Sequence, residues 1–485
     1  MSSLAYLFGI PLIMSLIAFL LPAISKTHFK RLAVLMSLLP LALLIYGHAS
    51  WIGSSLQYEW IPSLSITFYL KMDALSLLFV SLTAIIVPVS LLAVQSDKLP
   101  FPNMLYGLVL LLQGLLIGFF TARDLVLFTI FWEAMLLPLY AIITLWGGLK
   151  RQTAALKFLI YMIAGSALMI IAVLLLFFAS KSGLGTGTFD LDALATVSQA
   201  APYAPWICAI FLLAFAVKTP LFPFHAWLPD AYCEAPVAGT ILLSSLLSKA
   251  GIYGILRIGM ELFPVQIQAW SPVLLGFALA GVFYGGLAAW VQKDFKRLIA
   301  YSSFSHVNFV LAGLFVWNET AHAGAILQAI NHGITIAALF LVGGWLEERL
   351  GSTKMGEASG LAKYLPRLCW LTLVFVLASV ALPGTNNFIG ELMILFGLFG
   401  KHPWLAAVLG LTVILSVMYM LRWMQTMYFE TPNMDDRGLL DLKGKEIALA
   451  LSLVVLIAWI GLYPAPILQQ VESASSLVNQ SREPS

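Results

Sequence analysis

FAVKTPLFPFHAWLPD, residues 215–230, sets a lysine inside an apolar run and follows it with Pro220, Pro223 and Pro229. A cation halfway through a hydrocarbon span costs about 2.5–3.5 kcal/mol on insertion scales, so such residues are rare and usually mark an ion or proton path. Each proline removes a backbone donor and blocks helix continuation, and the carbonyls it frees need protein or a wet cavity around them. The stretch reads as a membrane helix broken beside Lys218. Discontinuous helices near the bilayer midplane are how transporters build ion sites.

Outward from this stretch the chain is of one kind. Of its 485 residues 61% are hydrophobic and only 10% charged, and the mean hydropathy is +0.94. That is far outside the range of soluble globular proteins. Crossing a hydrocarbon core of about 30 Å takes roughly 20 helical residues. Fourteen runs fit: 4–22, 32–47, 75–95, 104–120, 124–145, 158–180, 205–224, 237–258, 270–290, 299–317, 321–346, 369–400, 403–424 and 446–466. The longest pieces between them, 48–74, 181–204, 347–368 and 425–445, are too short for a soluble domain. The expectation is one all-α polytopic membrane domain over 1–485 with 14 transmembrane helices. The first run has no basic flank and no small-residue cleavage site, so it reads as a retained helix.

Basic residues set the orientation, because Lys and Arg stay on the cytoplasmic side. Loops after odd-numbered spans hold 18 Lys and Arg, among them Lys30, Arg31, Lys150, Arg151, Lys293, Lys296, Arg297, Arg349, Lys354 and Arg437. Loops after even-numbered spans hold 5: Lys71, Arg123, Lys181, Arg257 and Lys401. Both termini are thus expected on the outer side. The net charge of +3 is spread thinly, with no basic cluster of the sort that meets nucleic acid. Cys208, Cys233 and Cys369 lie far apart without metal-ligand spacing. The glycines of SGLGTGTFD, 182–190, follow a membrane helix and lack a dinucleotide fingerprint, and no Walker lysine motif occurs.

A second interrupted span, VALPGTNNFIGELMILFG at 380–397, has Pro383 and Gly384 at its break and Glu391 just after. Spans 4–8 (104–258) and 9–13 (270–424) each end on a broken helix and its neighbour. Five helices is an odd number, so the second set would run inverted, the arrangement that points to a transport site.

Ionisable residues recur at similar depth across these spans: Glu133 in span 5, Lys218 in span 7, Lys249 in span 8, His306 two turns into span 10, His332 in span 11 and Glu391 in span 12. Such a series suits proton relay. An acid moved toward or away from a buried lysine switches it between charged and neutral, and histidines titrate near neutrality. Withdrawing Glu133 from Lys218 would release a proton toward Lys249, and the histidines would carry it to Glu391 through intervening water. A buried ion pair kept only for stability is poor value against apolar packing. His225 reads as packing or gating, and Arg123 with Asp124 as an interfacial pair.

Four stretches carry a family likeness: DLVLFTIFWEAMLLPLYAIITLWG (124–147), residues 215–258 from FAVKTP to GILRI, KRLIAYSSFSHVNFVLAG (296–313) and LPGTNNFIGELMIL (382–395). They resemble the antiporter-like membrane subunits of respiratory complex I and of Mrp-type cation/proton antiporters. Within that family the chain is similar to the M-type branch. Its span 12 charge is Glu391 where L-, N- and D-type relatives typically carry lysine, Ile336 stands where L-type subunits place a lysine, and about 20 residues follow the last span.

The resemblance implies a 14-helix fold with two inverted five-helix repeats and discontinuous helices 7 and 12. It also implies that Glu133, Lys218, Lys249, His332 and Glu391 form the proton pathway, with His306 accessory. NADH, flavin, iron–sulfur clusters and quinone would belong to partner subunits, with no cofactor in this chain. L-type and N-type neighbours, the lipid bilayer and a bacterial inner-membrane location are implied too. A cation/proton antiporter subunit or a hydrogenase-linked subunit is the alternative.

Overall fold

The computed structural model describes residues 3–20, 26–94, 99–201, 203–433 and 438–480. Lys98 and Arg437, among the 18 basic residues of the odd-numbered loops, lie outside them. Among the described residues 11 helices are long and apolar enough to cross a membrane, from Thr27–Gly47 to Gly444–Leu462. Three shorter apolar helices accompany them, Leu4–Leu20, Ala204–Lys218 and Pro366–Ser379.

The fold is not purely helical. Residues Ser55–Ile61 and Ile66–Lys71 pair as an antiparallel hairpin with an irregularity between Glu59 and Ile61. Aromatic and β-branched residues (Ile66, Thr67, Phe68, Tyr69) dominate the second strand, which is the more buried of the two and suits a pleated, half-buried surface. Pro62–Leu64 makes the turn, and Ser65 takes a left-handed φ of 56° to leave it.

The prolines act as expected and split two spans. The helix carrying Lys218 ends at that residue, and the chain crosses residues 219–227 without regular helix before Leu228–Glu234. Run 369–400 is two helices, Pro366–Ser379 and Asn386–Lys401, separated by a break in which Ala381 and Gly384 have φ of 55° and 91°. Span 8, Val237–Met260, is continuous but carries π-helical turns at Leu243–Leu247 and Ile255–Met260 on either side of Ser248–Gly254. Turns of that kind cluster at functional sites.

The chain divides into two compact units. One comprises Met1–Thr219, Leu246–Trp270 and Gln470–Ser485, the other Pro220–Ser245 and Ser271–Gln469. A local device occurs once in each. In the first unit Asp124 caps Leu125–Ala134, accepting from the backbone of Val126 and Leu127 at 2.9 and 3.1 Å. Around it the Leu125 N–H donates to the Phe189 carbonyl and the Leu191 N–H to that of Arg123, at 2.8 and 2.9 Å. In the second unit Asp294 caps Phe295–Phe315, accepting from the Arg297 N–H at 2.9 Å. There the Phe295 N–H donates to the Thr353 carbonyl and the Met355 N–H to that of Lys293, both at 2.9 Å. Both helix starts are thus tied by a two-bond bridge to the loop that follows the next span.

Candidate functional site

Lys218 is the last residue of its helix and is 1% exposed. Its ammonium donates to the Trp132 carbonyl at 3.0 Å and lies 3.4 Å from the centroid of the Trp132 ring. The carbonyl end of a helix favours a cation, and an indole face adds attraction that strengthens when desolvated. Trp132 precedes Glu133, which is half-buried near the end of Leu125–Ala134 and within electrostatic reach of Lys218. The following helix, Leu136–Trp146, contains Pro138, which cannot donate to the carbonyl of residue 134, so the chain turns at Met135. Glu133 Oε1 is buried and takes no hydrogen bond among the described residues.

Lys249 is fully buried between the two π turns, and its ammonium donates to Ser248 Oγ at 3.3 Å. Gly251, two residues on, brings this helix against the Lys218 break. A Cβ there would stand 2.0 Å from Thr219 Oγ1 and 2.8 Å from the Thr219 nitrogen.

In the second unit the break before Asn386 delivers Glu391, 4% exposed, into a cluster. Gln328 Nε2 donates to Glu391 Oε1 at 3.1 Å, and His306 Nδ1 stands 3.2 Å from the same oxygen. The His306 and His332 rings stack at 5.6 Å with planes 28° apart. Ser305, His306, Glu391, Thr412, Ser416 and Tyr419 line a cavity of about 10 Å³, the size that holds one water. His306 lies midway along Phe295–Phe315, deeper than two turns, because that helix starts at 295.

Asn residues hold the break open. Asn331 Nδ2 donates to the Asn386 carbonyl at 2.6 Å, and Asn386 Nδ2 returns a bond to the Asn331 carbonyl at 3.0 Å. Thr335 Oγ1 adds a bond to Asn386 Oδ1 at 3.1 Å, and Asn387 Nδ2 binds the Ala378 carbonyl at 3.0 Å. Gly390 lets the two helices touch, since a Cβ there would lie 2.6 Å from Gln328 Oε1.

The structure brings Lys218, Glu133 and Lys249 into the first unit and gathers His306, His332 and Glu391 in the second. The pairing of Arg123 with Asp124 is corrected. Asp124 caps its helix and accepts from the Thr67 N–H at 3.0 Å, while Arg123 meets Glu261 and Asp192 at 3.2 and 3.3 Å. Arg257 is also no loop charge. It is 2% exposed and bound to Asp73. His225 packs among Phe222, Tyr284 and Phe304. Sequence reasoning missed Trp132, Gln328, Asn331 and Asn386. Gln328, Asn331, His332 and Thr335 recur at helical spacing, and that polar stripe was the available signal.

A membrane protein of broken helices with buried lysines and a buried acid–imidazole cluster belongs among ion-coupled carriers. The chain is a member of the NADH:quinone oxidoreductase/Mrp antiporter transmembrane family, whose model matches residues 122–418. It is 38% identical over 431 residues to NADH-quinone oxidoreductase subunit M of Pseudomonas aeruginosa, covering 87% of this chain and 84% of that one. A chain of respiratory complex I from Thermus thermophilus superposes with a TM-score of 0.85 at 32% identity, over 96% of this chain and 99% of that one. A chain of the Mrp complex from Dietzia sp. shares the fold, with a TM-score of 0.83 at 23% identity over 98% and 96% of the two chains.

Proposed function

We propose that this chain is the proton-translocating M-type membrane subunit of a NADH:quinone oxidoreductase. The near full-length identity to subunit M carries the reading. Protons move along Glu133, Lys218 and Lys249 in one unit and His306, His332 and Glu391 in the other, and quinone reduction in partner subunits drives them. NADH, flavin, iron–sulfur clusters and quinone sit in those partners, with L-type and N-type antiporter-like subunits as membrane neighbours. The chain lies in a bacterial inner membrane with both termini outside.

In this reading the three shorter apolar helices complete 14 spans, and 104–258 and 270–424 are inverted five-helix repeats. The matched bridges around Asp124 and Asp294 support the repeats, because each ties the second helix of its set to the loop after the third. The chemistry follows from the contacts. Lys218 leans on a carbonyl and an indole, neither of which takes a proton, so Glu133 is the group that can bias its charge. Glu391 faces an imidazole and a water-sized cavity, so it can exchange a proton.

Affinity purification of this chain from its native membrane tests the assignment. Recovery with NADH dehydrogenase activity is the expected result. Recovery in a redox-inactive complex that exchanges sodium for protons would replace it with the antiporter reading.

A further inference from the structure

A stripe on the Lys249 helix continues beyond the residues used above. Lys249, Tyr253, Arg257 and Glu261 follow at four-residue steps, each about 6 Å further along the axis. The charged groups around them run from exposed to buried. Side-chain exposure falls from 45% at Asp192 through 19% at Glu261 and 10% at Asp73 to 2% at Arg257. Arg257 Nη2 donates to Asp73 Oδ1 at 2.7 Å and Nη1 to Glu261 Oε2 at 3.0 Å. Arg123 closes the group, 3.2 Å from Glu261, 3.3 Å from Asp192 and 3.6 Å from Asp73, and Lys71 meets Asp192 at 3.4 Å.

Inside this network lies an aromatic layer. The Tyr253 ring meets Phe79, Phe119 and Phe120 with centroids 5.4, 5.6 and 5.1 Å away. All four are fully buried. Tyr253 OH donates to the Phe120 carbonyl at 2.6 Å and accepts from Arg257 Nε at 3.1 Å, with Ser76 Oγ 3.2 Å away.

A proton wire needs groups that both take up and give back a proton, and these do not. The Tyr253 proton is committed to a backbone carbonyl, and arginine does not deprotonate in proteins. Burial alone would raise the Asp73 carboxyl, but Arg257 and Arg123 beside it hold it well below the usual carboxylate range. The most buried charge of this network is therefore a permanent cation behind a fully buried aromatic layer. Pores use fixed arginines in that way to exclude protons and cations.

We propose that Tyr253, Arg257 and the Phe79, Phe119 and Phe120 rings form a proton seal that closes the first unit between Lys249 and the solvent at the hairpin end. The seal rests on the reading of Lys249 as a proton carrier, and it explains how such a carrier avoids short-circuiting the gradient.

The test uses the intact complex in proteoliposomes without NADH, following the decay of an imposed pH gradient. Arg257→Gln and Phe119→Ala should each speed decay several-fold, Arg257→Lys should leak as well because a buried lysine can give up its proton where arginine does not, and adding Lys249→Ala to Arg257→Gln should return decay to the wild-type rate. Phe119→Ala touches no charge and stands in if Arg257→Gln does not assemble. Wild-type decay in assembled Phe119→Ala and Arg257→Gln complexes, or a leak that persists without Lys249, overturns the seal. The decay assay needs no turnover, whereas a Lys249→Ala complex that still pumps normally during NADH oxidation would instead remove the proton-carrier reading.

Discussion

At the break after Lys218 the buried charge is a cation on the last residue of a helix. At the break before Asn386 it is a carboxylate in the second turn of the helix that follows. Each sits toward the helix end whose dipole favours its sign, the carbonyl end for Lys218 and the N–H end for Glu391. Their surroundings differ. Lys218 meets a backbone carbonyl and an indole face, whereas Glu391 meets an imidazole, an amide and a small cavity. The first charge is held by groups that do not titrate, and in the proposed reading its proton is governed from outside by Glu133. The second belongs to a cluster of an acid, two imidazoles and an amide, which in the proposed reading passes a proton among its own members.

Glu391→Gln should separate the two most sharply. It keeps a side chain of the same shape beside Gln328 but removes the proton acceptor, and losing a positioned acid–base group slows transfer on the order of 10²-fold. Dye-quench assays should find pumping reduced at least about tenfold by that arithmetic, with assembly intact. Normal pumping would make the second break structural and leave the lysines alone as carriers.

Gly251→Val should come next. Its side chain would meet Thr219 backbone, and such overpacking costs about 1–3 kcal/mol. Native gels should reveal loss of assembled complex, whereas Gly276→Val, where a Cβ meets nothing within 4 Å, should assemble normally. Asn386→Ala removes the Asn331–Asn386 exchange and leaves buried groups unsatisfied, at about 1–3 kcal/mol. A lowered melting temperature with pumping retained in proportion to folded complex would place Asn386 in the scaffold. His225→Phe should matter least, because His225 lies in an aromatic nest that a phenyl ring fills. Its pumping should stay within error of wild type.

Much of this was legible in the sequence because lipid leaves few options. Apolar length marked the crossing helices, and Pro220 and Pro383 marked both breaks. The charges Lys218, Lys249 and Glu391 stood out against the residues around them, and all three are buried. What escaped had weaker local signals. The hairpin hid in 48–74 because its period-two pattern lies outside the membrane runs. Arg123 and Arg257 read as loop charges, since their acids Asp73, Asp192 and Glu261 are distant in sequence and only the fold assembles them. The π turns flanking Lys249 have no sequence mark at all.

The central claim, that buried titratable groups of this chain carry the pumped protons, meets its most direct test in the number of protons moved per NADH oxidised by the reconstituted complex. With Glu133→Ala or Lys218→Ala the account predicts that this ratio falls while the assembled complex still reduces quinone. An unchanged ratio in both variants would contradict it.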